Sequence, residues 1–125
     1  AKRGGWQEGK RMMYVLGYHV PTVLREAEHG RLSTHEDMDV CLQLLSKGFP
    51  NLVNFSFVVD QKFGNPGGCT TERTIDQNNA DVLKLAEFFP AYVRATVKSY
   101  ANSPDRVECV CQWAKCLQDG IRNKR

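Results

Sequence analysis

No apolar run in this sequence approaches the roughly 18 consecutive residues that a membrane-spanning helix needs. The sequence also lacks a Gly-x-Ser-x-Gly elbow, a phosphate-binding P-loop and a dinucleotide-binding fingerprint. It has no repeat of fixed period and no low-complexity segment, which argues against a solenoid and against a disordered tract. What is present is a 125-residue chain with 42% hydrophobic and 25% charged residues, enough for one globular domain.

Cysteine occurs in an odd number, at positions 41, 69, 109, 111 and 116. Any closed set of disulfides would leave one thiol over, and a chain of this length does not need disulfides to fold. We therefore expect an intracellular protein of a reducing compartment, the cytoplasm or the nucleus, with secretion as the alternative. The first residue is Ala rather than Met, so we expect a processed chain or a fragment.

The net positive charge is small and is concentrated at the two ends of the chain. The formal net charge is +3. Residues 1–11 and residues 115–125 each carry +3, and the residues between them carry −3. We expect flexible basic ends at 1–9 and 121–125, which would suit contact with phosphate or with an acidic protein surface.

Apolar residues recur at the helical period over most of the chain. Ser33-Thr34-His35-Glu36 fits a capping box and predicts a helix that ends at Gly48. Ser103 and Pro104 predict the start of another helix, which Gly120 would stop. Similar patterns predict helices over 10–18, 21–29, 79–89 and 90–100.

The segment Phe49–Phe63 contains signals for both kinds of secondary structure. Its alternating apolar residues suit a strand, whereas Pro50 would suit the first position of a helix. We predict a helix here, because the neighbouring segments are predicted to be helical and a lone strand would have no sheet to join.

Together these patterns predict an all-α fold, a compact bundle of five to seven short, mostly antiparallel helices in a single domain over residues 1–125. The predicted long loop is 64–77, because Gly64-Asn65-Pro66-Gly67-Gly68 is dense in turn-forming residues. A loop of this length in a small domain is where we first expect a binding element.

Candidate catalytic and metal-binding patterns are incomplete. On an unbroken helix, Cys111 would lie about 200° around from Cys109, so these thiols and Cys116 would not converge on a metal. Glu26-x-x-His29 has the spacing used by carboxylate-bridged di-metal bundles, but it occurs once where such sites need it twice. We predict no catalytic residue, no metal site and no cofactor.

We therefore predict a non-catalytic protein–protein interaction module, an adaptor domain or a small subunit of a larger assembly, with a protein as its partner. The first alternative is nucleic-acid binding through the basic ends, helped by the basic and aromatic residues of the segment 92–100. The second alternative is a metal- or thiol-dependent enzyme. The expected partner-binding residues are Lys10, Arg11, Asn65, Arg73, Arg94, Lys98, Arg122, Lys124 and Arg125.

Overall fold

The computed structural model describes residues 4–12, 15–57, 59 and 74–124, which contain both helices and strands. The elements in chain order are β1 (Trp6–Glu8), α1 (Val20–Glu26), α2 (Glu36–Ser46), β2 (Leu52–Asn54), α3 (Ile75–Phe88), β3 (Val93–Tyr100), β4 (Ser103–Cys111) and α4 (Trp113–Asn123). In these residues the strands form two small antiparallel sheets, β1–β2 and β3–β4. The prediction of an all-α bundle of five to seven helices is therefore wrong.

The largest departure from the predicted bundle is the β3–β4 ribbon, which replaces one predicted helix and the start of another. Val93 and Val97 are four residues apart, a spacing that suits one face of a helix and equally one face of a strand. The segment VRATVKSY is rich in β-branched and aromatic residues, which favours the strand. Ser103 and Pro104 do not start a helix but begin β4, after a two-residue turn.

The described residues fall into two compact units. Unit 1 comprises β1, α1, α2, β2 and α4, and unit 2 comprises α3, β3, β4 and the short segment 32–35. Along the sequence, both segments of unit 2 therefore lie between segments of unit 1.

In unit 1, α2 packs against α4. Leu42 and Leu45 of α2 are fully buried, and the Cys116 thiol of α4 donates to the Leu42 carbonyl oxygen at 3.7 Å. Gly120 lies inside α4 and does not stop it, contrary to the prediction. A Cβ at Gly120 would lie 2.5 Å from the Gly48 nitrogen, so a glycine is needed where the end of α2 meets α4.

The prediction for α2 is confirmed at its C-terminal end. Gly48 has a φ of 74°, and its N–H donates to the Leu45 carbonyl at 2.9 Å in a left-handed cap. α1 begins at Val20, beside the predicted Pro21, but ends at Glu26, before the predicted end. None of the described residues in 10–18 is helical, so that predicted helix is wrong.

The prediction of a helix over 49–63 is also wrong in its described part. Leu52–Asn54 forms β2, which pairs antiparallel with β1, Trp6 facing Asn54 and Glu8 facing Leu52. The objection to a lone strand fails because a segment more than 40 residues earlier supplies the second strand.

In unit 2, α3 packs against β3 and β4. Val82 and Leu85 of α3 are fully buried, as a helix over 79–89 predicts, but Phe88 is 41% exposed. α3 begins at Ile75 after the N-cap Thr74, so the predicted start at 79 is wrong. Asn79 donates from Nδ2 to the Asp105 carbonyl at 3.0 Å and accepts the Val107 N–H at 2.8 Å. Both backbone groups of β4 are thus satisfied on the edge that β3 does not cover.

None of the helices in the described part of the chain combines the length and apolar character of a membrane span.

Candidate functional site

The first candidate site is built around Asp81, a carboxylate of α3 that is only 1% exposed. Its Oδ2 accepts the N–H groups of Ser33 and Thr34 at 3.0 and 2.7 Å and the Thr34 hydroxyl at 3.0 Å. Its Oδ1 accepts from Gln77 Nε2 at 2.9 Å. Burial by itself would raise the pKa of Asp81, but the hydrogen bonds from Thr34, Gln77 and Ser33 outweigh burial and lower it. Asp81 is therefore ionised at neutral pH and holds the segment 32–35.

Thr34 links Asp81 to the imidazole of His35. The Thr34 hydroxyl has a single proton, which it donates to Asp81, so it accepts from His35 Nδ1–H at 3.0 Å. This hydrogen bond selects the tautomer of the neutral ring that carries its lone pair on Nε2. Such a chain from carboxylate to hydroxyl to imidazole is suited to orienting a general base.

His35 also has a strained backbone. Its φ is 61°, the one positive φ among the described residues other than glycine. The left-handed conformation costs a non-glycine residue about 1–2 kcal/mol, and it persists where surrounding contacts impose it. The amide hydrogen bonds of Ser33 and Thr34 to Asp81 impose it here. A strained polar residue held in this way marks a candidate functional residue, and we define Ser33, Thr34, His35 and Asp81 as the Asp81 site.

Sequence reasoning missed the Asp81 site. α2 begins at Glu36, and the Ser33 amide is bound by Asp81 and not by Glu36, so the predicted capping box is wrong. No local pattern connects two residues that lie 48 positions apart. The signal that could have found the site is the position of Asp81, four residues before the buried Leu85 on the inner face of α3.

The structure brings together two of the predicted partner-binding residues, Arg94 and Lys98. They lie on the same face of β3, with Thr96 between them, and both are exposed. The predicted helix would also have placed them together, because positions four apart are neighbours on a helix and share one face of a strand.

Most of the other predicted partner-binding residues in the described chain make contacts inside unit 1. The Lys10 N–H donates to Asn51 Oδ1 at 3.2 Å, and Asn51 Nδ2 donates to the Lys10 carbonyl oxygen at 2.6 Å. Arg122 pairs with Asp119 at 2.5 Å, and Lys124 Nζ lies 3.3 Å from the centroid of the Phe49 ring. Arg11 is exposed. Asn65, Arg73 and Arg125 lie outside the described residues, as do residues 64–73 of the predicted loop; its last residues begin α3.

The cysteines are arranged differently from the prediction. Cys109 and Cys111 lie two residues apart in β4 and therefore share a face, and the argument that separated them on a helix does not apply. Cys116 belongs to α4 of unit 1 and is fully buried, and Cys69 lies outside the described residues. In the described part of the chain, no three His, Cys, Asp or Glu side chains are grouped so that they could hold a metal ion.

Comparison with known proteins gives a partial similarity to an enzyme. No family model and no solved structure matches this chain. The β-glucosyl-HMC-α-glucosyl-transferases of Enterobacteria phages T2 and T6 are each 33% identical to it over 67 residues. The match covers 53% of this chain but 24% of each transferase, so the chain spans about a quarter of the length of these relatives.

Proposed function

We propose that this chain is part of an enzyme that transfers a glycosyl group to a hydroxyl acceptor. The main support for this proposal is the 33% identity over 67 residues with the two phage transferases, whose names describe α-glucosyl transfer to β-glucosyl-HMC. This proposal ranks above the non-catalytic interaction module that we expected from the sequence, which becomes the second candidate.

The Asp81 site supports the proposal with a base of suitable geometry. Glycosyl transfer to a hydroxyl forms a bond from the acceptor oxygen to the sugar, breaks the bond to the leaving group, and releases the hydroxyl proton. The imidazole of His35, whose Nδ1 is held by the Thr34 hydroxyl at 3.0 Å, is the group that we propose accepts that proton. Thr34 then keeps Nδ1 as a donor, and the ionised Asp81 stabilises the imidazolium through the Thr34 hydroxyl. We assign His35 as the base, with Thr34 and Asp81 as positioning residues.

The test incubates the chain with radiolabelled nucleotide-activated glucose and an acceptor that ends in a β-glucosyl group. We expect labelled product with the native chain and with Thr34→Ser, which keeps the hydroxyl. His35→Gln should lower the rate by about 10²–10⁴-fold, the usual effect of removing a general base. Glu87→Gln, an exposed change on α3, is the control. A chain that gives no product and shows no heat of binding with the sugar nucleotide would refute the proposal.

A protein–protein interaction module, as predicted from the sequence, is the second candidate. It is favoured by the exposed face of the β1–β2 sheet, where Trp6 and Leu52 lie on the same side and are 67% and 57% exposed. Large apolar side chains exposed together mark interaction surfaces. Nucleic-acid binding through the two basic ends stays a prediction.

Affinity capture from native extract tests the second candidate. The native chain should retain a partner that the double variant Trp6→Ser, Leu52→Ser loses, while Leu24→Ser, an exposed change on α1, retains it. Equal capture by all three chains would count against this surface.

A further inference from the structure

One edge of the β3–β4 sheet is open in the described part of the chain. β3 pairs with β4 along one side, and no described strand pairs with β3 along the other. The far side of β4 is occupied, because Asn79 of α3 hydrogen-bonds to the Asp105 carbonyl and to the Val107 N–H. An open strand edge is a template for another strand, so the far side of β3 is where this sheet can be extended.

The hydrogen bonds of the ribbon identify the backbone groups on this edge. In an antiparallel pair of strands, hydrogen-bonded and non-hydrogen-bonded residue pairs alternate. Val107 lies opposite Val97, and its N–H bonds to α3 and not to β3, so these two valines are a non-hydrogen-bonded pair. Val93 has the same phase, and its N–H bonds outside the ribbon, to the Phe89 carbonyl at 2.8 Å. The N–H and carbonyl groups of Ala95 and Val97 therefore point away from β4, toward the open edge.

The open edge extends over residues 94–98. At its start the Val93 N–H is already bonded, and at its end the register is irregular between Lys98 and Tyr100. Five residues is a common length for a strand, so this edge can pair with a complete strand of a partner.

The side chains of the open edge differ between the two faces of the ribbon, because alternate residues of a strand share a face. Ala95 and Val97 lie on the same face as the buried Val93, yet Val97 is 66% exposed. Arg94 and Lys98 lie on the opposite face and are both exposed. A strand beside β3 would thus cover an apolar side chain on one face and meet two cations on the other.

The face that includes Arg94 and Lys98 has a surplus of positive charge. It also includes Arg106, opposite Lys98, and Glu108, which forms an ion pair with Lys98 at 2.6 Å. Three cations and one carboxylate leave this face with a net charge of +2. Opposite charges that face each other across strands stabilise a sheet, and like charges destabilise it. The open edge therefore favours a strand that brings carboxylates to this face.

The same charges disfavour a second copy of this chain. Symmetric pairing of two β3 edges over residues 94–98 is centred on Thr96, and it places Arg94 of each copy opposite Lys98 of the other. Two like-charge pairs would then face each other, whereas an acidic strand would form two opposite-charge pairs in the same positions.

We propose that the open edge of β3, residues 94–98, binds an extended acidic segment of another protein, which joins the sheet as an antiparallel third strand. The segment has carboxylates opposite Arg94 and Lys98 and apolar residues opposite Ala95 and Val97. Main-chain hydrogen bonds provide affinity in this mode of recognition, and the side chains provide specificity. The proposal does not depend on the proposed glycosyl transfer, and it concerns unit 2, whereas the exposed face of the β1–β2 sheet belongs to unit 1.

The test titrates the chain into a fluorescein-labelled peptide and measures anisotropy. The peptide contains Glu-Val-Thr-Val-Glu between glycine linkers. In antiparallel pairing its first Glu faces Lys98, its two valines face Val97 and Ala95, and its last Glu faces Arg94. A peptide with lysine in place of both glutamates should bind about tenfold more weakly, because both facing charge pairs become repulsive.

Two N-methylated peptides distinguish strand pairing from simple charge attraction. Methylation of both valine nitrogens removes the N–H groups that donate to β3, and it should weaken binding more than about tenfold although the charges are unchanged. Methylation of the threonine nitrogen is the matched control. In this register the threonine N–H points away from β3, so affinity should stay within about threefold.

Three changes in the chain locate the binding site. Val97→Pro removes an N–H of the open edge but no hydrogen bond of the β3–β4 ladder, and it should weaken binding more than about tenfold. Arg94→Glu should reverse the preference at one position, so that Glu-Val-Thr-Val-Lys binds better than Glu-Val-Thr-Val-Glu. Lys84→Gln, which removes a positive charge from α3, is the control and should leave affinity within about twofold. If Val97→Pro fails to fold, the exchanged preference of Arg94→Glu decides.

Three results would overturn the proposal. The first is no binding of the glutamate peptide at chain concentrations up to about 1 mM, or equal binding of the lysine peptide. The second is an equal effect of methylation at valine and at threonine. The third is a dimer of the native chain in analytical ultracentrifugation that Val97→Pro abolishes, which would assign the open edge to a second copy.

Discussion

At the scale of single residues, one buried acid determines the conformation of a segment far away in the sequence. Asp81 accepts four hydrogen bonds, three of them from Ser33 and Thr34. These bonds account both for its lowered pKa and for the left-handed conformation of His35. Stability and the candidate chemistry of the Asp81 site therefore depend on the same carboxylate.

The ionisation of Asp81 gives a stability contribution that depends on pH. Because its pKa is lower in the folded chain than in the unfolded chain, its contribution is complete above the ordinary value of an aspartate, about 3.9, and is lost as pH falls through the folded value. We expect Asp81→Asn to cost about 2 kcal/mol at pH 7, since the amide keeps one acceptor oxygen. Urea unfolding at pH 7, 5 and 3 should show this difference shrink only at the lowest pH. A difference in unfolding free energy between the native chain and Asp81→Asn that stays constant from pH 7 to pH 3 would contradict the ionised state of Asp81. So would the same pH dependence in Glu87→Gln.

The backbone of His35 predicts an unusual order of substitutions. His35→Gly relieves the strain of the left-handed conformation, and we expect it to match or exceed the native stability by up to about 1 kcal/mol. His35→Val places a β-branched residue there and should cost about 2 kcal/mol. Val97 of β3, which pairs with Val107 and is 66% exposed, provides the comparison: Val97→Gly should be less stable than the native chain, because a strand favours valine. Urea unfolding measures all three variants, and valine outranking glycine at position 35 would refute the strained conformation.

At the scale of elements, the sequence predicts that α2 and α3 exist, because their apolar stripes run for several turns. It misplaces where they begin, since α2 begins at Glu36 without the predicted capping box and α3 begins at Ile75 rather than at 79. It fails at 93–111, because the spacing of Val93 and Val97 satisfies a helix and a strand equally. Only the pairing of β3 with β4 decides between them, and pairing depends on two segments together. The prediction that α4 ends at Gly120 fails for a related reason. Gly120 is needed for a contact with Gly48, and no local pattern connects two residues that are 72 positions apart.

The packing of α2 on α4 makes Gly120 intolerant of a side chain. Alanine is favoured over glycine by about 1 kcal/mol within a helix, so propensity alone would make Gly120→Ala stabilising. We expect a loss of about 3 kcal/mol instead, because the new Cβ would lie 2.5 Å from the Gly48 nitrogen and 2.7 Å from the Ser46 carbonyl oxygen. Gln118→Ala, on the exposed side of α4, should change stability by less than about 0.5 kcal/mol. Thermal unfolding distinguishes the two, and a stable Gly120→Ala chain would rule out the close approach.

At the scale of the whole molecule, unit 1 is assembled from segments that unit 2 separates in the sequence. α4 returns to pack against α2 after the chain has formed α3 and the ribbon. The Asp81 site belongs to unit 2, whereas the exposed Trp6 and Leu52 belong to unit 1. The two candidate functions can therefore be tested by changes that affect one unit at a time.

Two cysteines report the opening of unit 1. Cys41 of α2 is 2% exposed and Cys116 of α4 is fully buried. Burial raises the pKa of Cys41 to about 12 and that of Cys116 to about 11. Alkylation requires the thiolate, so at pH 8 both should react with iodoacetamide more than about 100-fold slower than an exposed cysteine.

The Cys116 thiol donates to the Leu42 carbonyl of α2, whereas the Cys41 thiol accepts from Asn51 Nδ2 at 3.2 Å, so different contacts of unit 1 cover the two thiols. We expect these contacts to open together, because both belong to one compact unit. Peptide mapping by mass spectrometry at increasing urea should therefore give Cys41 and Cys116 the same urea dependence, and Gly120→Ala should accelerate both equally. The fully unfolded chain is the control, in which both thiols should react at the ordinary rate. Rapid labelling of one cysteine in the native chain, with the other protected, would show that unit 1 does not open as a single unit.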